Sequence, residues 1–158
     1  MIHRTQSRLR LGIALLALNL LFIWGNSLLP ASASGSLSQW IRDLLGLVLP
    51  GDPTPGQSDG LLRKLAHFAE FCCLGLCLSW VSGMCAKNLW KSVTLSAACG
   101  FIAACVDELL QHLSPGRAPR FTDVLIDTAG VVVGIILLWV GHTICQKKNI
   151  INFGGKQT

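Results

Sequence analysis

The chain has 158 residues, 51% of them hydrophobic and 13% charged, with a formal net charge of +5 and a mean hydropathy of +0.54. Soluble domains carry about 25% charged residues, so this composition excludes a water-solvated globule. The positive excess reads as membrane topology, and no nucleic-acid partner is expected.

The first predicted helix covers about residues 11–29. Leu11–Leu29 is long enough to cross a bilayer core of roughly 30 Å, which takes about 20 residues of helix. Arg4, Arg8 and Arg10 before it, and ASAS at 31–34 after it, imitate a secretory signal with an Ala-x-Ala cleavage site. Signal h-regions run about 7–15 residues, so the length favours a retained span. In the following loop Leu37, Trp40, Ile41, Leu44, Leu45 and Val48 recur at helical spacing. That pattern predicts a short amphipathic helix lying along the interface or covering the bundle, which the PGDPTPG stretch at 50–56 then breaks.

Three further apolar runs follow at 62–82, 93–113 and 124–145. The expected fold class is all-α: one membrane domain over residues 1–158, an integral bundle of four transmembrane helices with the short amphipathic helix in its first outer loop. Basic residues accumulate on cytoplasmic loops. With both termini cytoplasmic, Arg4, Arg8, Arg10, Lys87, Lys91, Lys147, Lys148 and Lys156 lie inside, against Arg42, Arg63, Lys64, Arg117 and Arg120 outside. Trp24, Trp80 and Trp90 fall near predicted helix ends, as interfacial anchors do. Cys72, Cys73, Cys77, Cys99 and Cys105 lie within apolar runs, with no Cys-x-x-Cys or zinc-like spacing. They read as small apolar fillers.

The acids are placed against this background. Of eight in the chain, Glu70, Asp107, Glu108, Asp123 and Asp127 fall on or beside helices two to four. The topology puts all five toward the outer ends, together with Lys64, His67, Gln111, His112, Arg117 and Arg120. Helical spacing aligns Ala97, Gly100, Ala104, Asp107 or Glu108, and Gln111 on helix three. On helix four it aligns Asp123, Asp127, Gly130, Gly134 and Gly141. Lys64, His67, Phe71, Gly75 and Ser82 share a face of helix two, with Glu70 roughly 60° round from His67. Small residues let membrane helices approach closely, so the acids that extend these stripes should face the bundle interior. An acid at a helix centre costs about 2.5–3.5 kcal/mol on insertion scales, and less near the rim. Intramembrane ionisable residues are functional sites by default. The competing reading is a set of structural ion pairs in which Lys64, Arg117 and Arg120 neutralise three acids.

KLAHFAEF at 64–71, with DELLQHLSPGRAPRFTDVLIDTAG at 107–130, resembles the VanZ-like family of small bacterial membrane proteins. That pattern has Lys and His opening one helix, Asp-Glu-x-x-Gln ending the next, Pro and Arg in a short loop, and Asp-x-x-x-Asp or Asn before a Gly. Here it falls on Lys64, His67, Asp107, Glu108, Gln111, Pro115, Arg117, Asp123, Asp127 and Gly130, and Glu70 matches a common choice. The resemblance covers about residues 11–142. It implies a multi-pass protein of the bacterial cytoplasmic membrane with an envelope role. The founding member is associated with low-level teicoplanin resistance; no reaction follows from the resemblance.

Two classes of mechanism fit these residues. In the enzyme reading, Asp107, Glu108, His67 and Asp127 do acid–base work on a polar group entering from the outer leaflet. Lys64, Gln111, Arg117 and Asp123 then hold a membrane lipid, lipid-linked envelope precursor or glycopeptide, with Arg117 as a clamp for an anionic headgroup. A divalent cation such as Mg²⁺, which favours oxygen ligands, is a candidate bridge between carboxylates, although no recognised metal spacing is present. In the binding or scaffold reading, the same residues form a closed ion-pair network around a pocket without turnover. A transporter fits less well, because the inner half of helix four, Val131–Val140, is nearly all apolar.

Overall fold

The computed structural model describes residues 2–30, 60–86, 88–115 and 120–154, and these form four α-helices with no strand among them. The helices are α1 (Ile2–Ser27), α2 (Gly60–Cys85), α3 (Leu89–Leu113) and α4 (Phe121–Gly154). All four are long and apolar enough to cross a membrane. The amphipathic helix expected between residues 30 and 60, and Arg117, lie outside the described residues.

Helix ends depart from the hydropathy boundaries in a consistent way. α1 begins at Ile2, so Arg4, Arg8 and Arg10 are helical, and it ends at Ser27. Leu28 and Leu29 form a closing turn on the Trp24 and Asn26 carbonyls. α4 starts at Phe121 and continues past Lys147 and Lys148 to Gly154. At 1.5 Å per residue its 34 residues reach ~50 Å, well beyond a hydrocarbon core of about 30 Å. Hydropathy marks where helix meets lipid, whereas backbone hydrogen bonding carries the helix on into the polar layer. Asn88 caps α3, its Oδ1 accepting from the Trp90 amide at 2.9 Å.

α2 sits at the centre, packed most extensively against α4 and also against α1 and α3, while α1 leans on α2 and α3. Glycines set the α2–α4 approach. A Cβ on Gly130 would stand 2.5 Å from the Phe68 carbonyl oxygen, and one on Gly134 would strike the Cys72 carbonyl. Gly75 of α2 abuts the Val131 backbone, and Gly100 of α3 abuts the Val131 side chain. The predicted Gly-x-x-x-Gly pair is thus a backbone-to-backbone contact. Gly141, on the same predicted stripe, has nothing within 4 Å.

The interior is unusually polar. Its buried apolar residues are Ile23, Phe71, Leu74, Ala103, Ala104, Val124, Val131 and Ile135, and beside them lie buried serines, His67, Asp107, Glu108, Gln111 and Asp127. Large apolar residues face outward instead, with Leu21 at 69% and Leu109 at 66% exposure. Lipid is the solvent that makes this inversion stable. All seven cysteines are free thiols. Cys73 and Cys99 are exposed along the outer faces, so the expectation of interior filling suits only the half-buried Cys72, Cys77 and Cys105. Trp90 is exposed near the start of α3, as an anchor requires, but Trp24 packs against the core.

A serine knot joins α2 to α3 at the end away from the acids. Ser82 Oγ lies 2.7 Å from Ser92 Oγ and 2.8 Å from Ser96 Oγ, and Ser96 Oγ donates to the Ser92 carbonyl at 2.9 Å. The knot fixes the register of α2 against α3. That register brings His67 level with Asp107.

Candidate functional site

Three helices deliver acids and a histidine to one depth. His67 is seven residues into α2, Asp107 six residues before the end of α3, and Asp127 six residues into α4. At about 1.5 Å per residue each lies roughly 9–11 Å below the same end of the bundle. Asp107 is 0% exposed and Asp127 1%. On α3 the inward stripe is Ser92, Ser96, Gly100, Ala103, Ala104, Asp107, Glu108 and Gln111, so both neighbouring acids are interior.

Asp107 is held from two sides. Ser27 Oγ of α1 donates to its Oδ1 at 2.6 Å, and Gln111 Nε2, one turn further along α3, donates to its Oδ2 at 2.7 Å. His67 Nδ1 lies 3.9 Å from Asp107 Oδ2 and 3.8 Å from Glu70 Oε2. Glu70 in turn accepts a 3.0 Å hydrogen bond from Asn26 Nδ2. The last two polar residues of α1 therefore orient two carboxylates that flank one imidazole. One ligand-capable atom from each of His67, Asp107 and Asp127 lies within 4.8 Å of the other two.

The remaining expected residues lie nearer the helix ends, exposed or half-buried except for the buried Glu108. Lys64 Nζ is 3.9 Å from Asp123 Oδ1, both at least partly open to solvent, which makes this a weak pair of about 0–1 kcal/mol. Asp123 stands in the first turn of α4, where a carboxylate complements the helix dipole. Glu108 turns toward the start of α4, and its Oε1 accepts the Arg120 backbone N–H. His112 and Arg120 are exposed. Arg63, Lys64, His67, Gln111, Asp123, Ile126 and Asp127 line a small cleft whose interior, about 10 Å³, has room for roughly one water molecule.

A family model described as VanZ/LLP1 matches residues 6–144. The chain belongs to the VanZ/LLP1 family. No curated protein and no solved structure matches it. The VanZ/LLP1 match covers all but the outermost one or two residues of the four membrane-capable spans and every residue of the cluster, which supports a multi-pass membrane protein of this family.

Not every polar group in the VanZ/LLP1 bundle is satisfied. Asp127 Oδ2 and Glu108 Oε2 are buried and have no hydrogen-bond partner among the described residues. Leaving such an oxygen unpaired costs about 1–3 kcal/mol, and more when it is charged. Asp107 shows the contrast, since each of its oxygens receives a donor, from Ser27 and from Gln111. Asp127, which lines the cleft, instead keeps a buried acceptor unpaired, close to an imidazole suited to proton transfer. Sequence reasoning missed Asn26, Ser27 and Arg63. The polar Asn-Ser pair closing the first apolar run was a usable signal, but only tertiary contact shows that α1 reaches α2 and α3.

Proposed function

We propose that this VanZ/LLP1 protein binds the headgroup of an anionic membrane lipid or lipid-linked envelope precursor at the outward end of its bundle. In this reading Arg63 and Lys64 at the cleft mouth attract the headgroup's negative charge. Gln111 and Asp127 contact its polar atoms, while His67, positioned between Asp107 and Glu70, moves protons within the bound complex. The observation that carries the reading is the buried, unpartnered Asp127 Oδ2 on a cleft whose mouth holds two cationic side chains. The outward orientation rests on the excess of basic residues at the opposite end. A teicoplanin-related phenotype, associated with the founding VanZ member, fits a protein that sequesters or alters such a precursor.

The scaffold reading also has specific support. Ser27 to Asp107 and Asn26 to Glu70 are cross-helix bonds that brace α1 against α3 and α2. The two readings separate on binding. Purified protein in detergent, offered mixed lipids and examined by native mass spectrometry, should retain phosphate-bearing anionic lipids over zwitterionic ones. Arg63→Ala combined with Lys64→Ala should abolish that preference while the protein stays folded. Equal retention of both lipid classes by the wild type leaves only the scaffold.

A further inference from the structure

We propose that His67, Asp107 and Asp127 form a binding site for one first-row divalent metal ion, of the Mn²⁺ or Zn²⁺ class. The inference deepens the functional reading of the cluster and rests on it.

Two features beyond the clustering of acids point to a cation. First, Asp127 is 1% exposed, yet its Oδ2 has no hydrogen-bond partner among the described residues. A buried carboxylate oxygen that receives no hydrogen-bond donor has a lone pair available to a cation. Secondly, the three donors arrive from three different helices, with their ligand-capable atoms all within 4.8 Å of one another. Three ligands bonded to one ion at about 2.0–2.2 Å stand roughly 3–4 Å from one another. Side-chain rotations that draw the three atoms together by about 1 Å therefore close the site.

Charge and donor chemistry narrow the ion. Two buried carboxylates opposite a dication sum to zero, and burial of an uncompensated charge is what the membrane interior penalises most. One imidazole nitrogen with two carboxylate oxygens is a mixed set. Mg²⁺ and Ca²⁺ favour oxygen alone, whereas imidazole suits zinc, iron and their neighbours, and carboxylate suits manganese. Mg²⁺, the cation expected for a carboxylate bridge, is therefore displaced by a softer ion. Ser27 and Gln111 complete the arrangement as outer groups. Each donates to one Asp107 oxygen and leaves further lone pairs on that carboxylate, which is how ligating carboxylates are oriented in metal sites.

The test uses full-length protein in detergent, stripped with chelator and dialysed against Mn²⁺ or Zn²⁺ alone. The folded wild type should retain one ion per chain. In the Mn²⁺ form, pulsed electron paramagnetic resonance should show a directly coordinated nitrogen, which His67→Gln removes. Asp127→Asn should weaken Mn²⁺ binding at least tenfold, and Ser27→Ala, which leaves all three ligands in place, by about tenfold. Gel filtration and thermal melting establish that each variant is folded. A folded wild type that retains neither ion overturns the proposal, as does retention unchanged in both His67→Gln and Asp127→Asn. Lipid binding measured on the same samples keeps the two claims apart. Metal retained without lipid preference supports the metal site and removes the headgroup reading. Lipid preference lost in Asp127→Asn without any metal in the wild type overturns the metal site alone.

Discussion

Ser27, the last residue of α1, donates a 2.6 Å hydrogen bond to Asp107 on α3, 80 positions along the chain. A first helix that is mostly lipid-facing elsewhere thus helps build the polar end of the bundle. Ser27→Ala removes a donor from a fully buried carboxylate and should destabilise the protein by about 1–3 kcal/mol. Thermal unfolding in detergent measures this. Asn26→Ala, whose partner Glu70 is only part-buried, should cost less.

The α2–α4 contact should be intolerant of a single methyl group. Gly134→Ala drives a Cβ into the Cys72 carbonyl, backbone that cannot rotate away. Overpacking of this kind costs about 1–3 kcal/mol, occasionally more, and membrane abundance should fall. Gly141→Ala meets open space and should leave abundance unchanged, which makes it the matched control.

The serine knot should matter to stability and not to the site. Ser82→Ala removes the hydroxyl shared by Ser92 and Ser96. Hydrogen bonds between membrane helices average about 0.6 kcal/mol and reach ~1.7. The variant should therefore melt slightly earlier while keeping wild-type lipid preference. Loss of lipid preference at normal stability would mean that the two ends of α2 and α3 are coupled.

Orientation is tested by thiol labelling. In a cysteine-free background, Arg120→Cys at the site end should react with an impermeant reagent added outside intact, outer-permeabilised cells. Asn88→Cys at the N-cap of α3 should not. The reverse labelling would turn the cleft to the cytoplasm and exclude an outer-leaflet headgroup.

Much of the fold was legible because length and apolarity alone decide which segments cross a bilayer. The inward faces of α2 and α3 followed from a helical repeat that places His67 with Phe71 and Gly75, and Gly100 with Ala104 and Asp107. Gly130 and Gly134 were legible as a close-packing pair for the same reason. Helix ends were less so: Ile2 and Gly154 extend their helices beyond the lipid, where hydropathy carries no information. Within the site, the sequence gathered the acids at one end but could not partition them. Asp107 and Glu108 are adjacent in sequence, yet about 100° apart round a helix. The first meets Ser27 and His67, and the second turns to the Arg120 amide. Ser27 itself was hidden, since a serine closing an apolar run gives no sign of which helix it meets. The serine knot was hidden likewise, because Ser82, Ser92 and Ser96 are too weakly polar to interrupt the hydropathy of their runs.

The central claim is that Asp127 is kept for binding and not for folding, and one variant sets these against each other. Asp127→Asn keeps the shape of the side chain while removing a buried carboxylate that lies close to His67 and Asp107 and has an unpartnered oxygen. The measurement is paired: thermal stability of metal-free protein in detergent, and retention of anionic over zwitterionic lipid by native mass spectrometry. A functional Asp127 predicts unchanged or higher stability together with loss of the lipid preference, since relief of an unsatisfied buried acid favours the fold. Lower stability with the lipid preference intact would contradict the account and leave Asp127 as a structural brace.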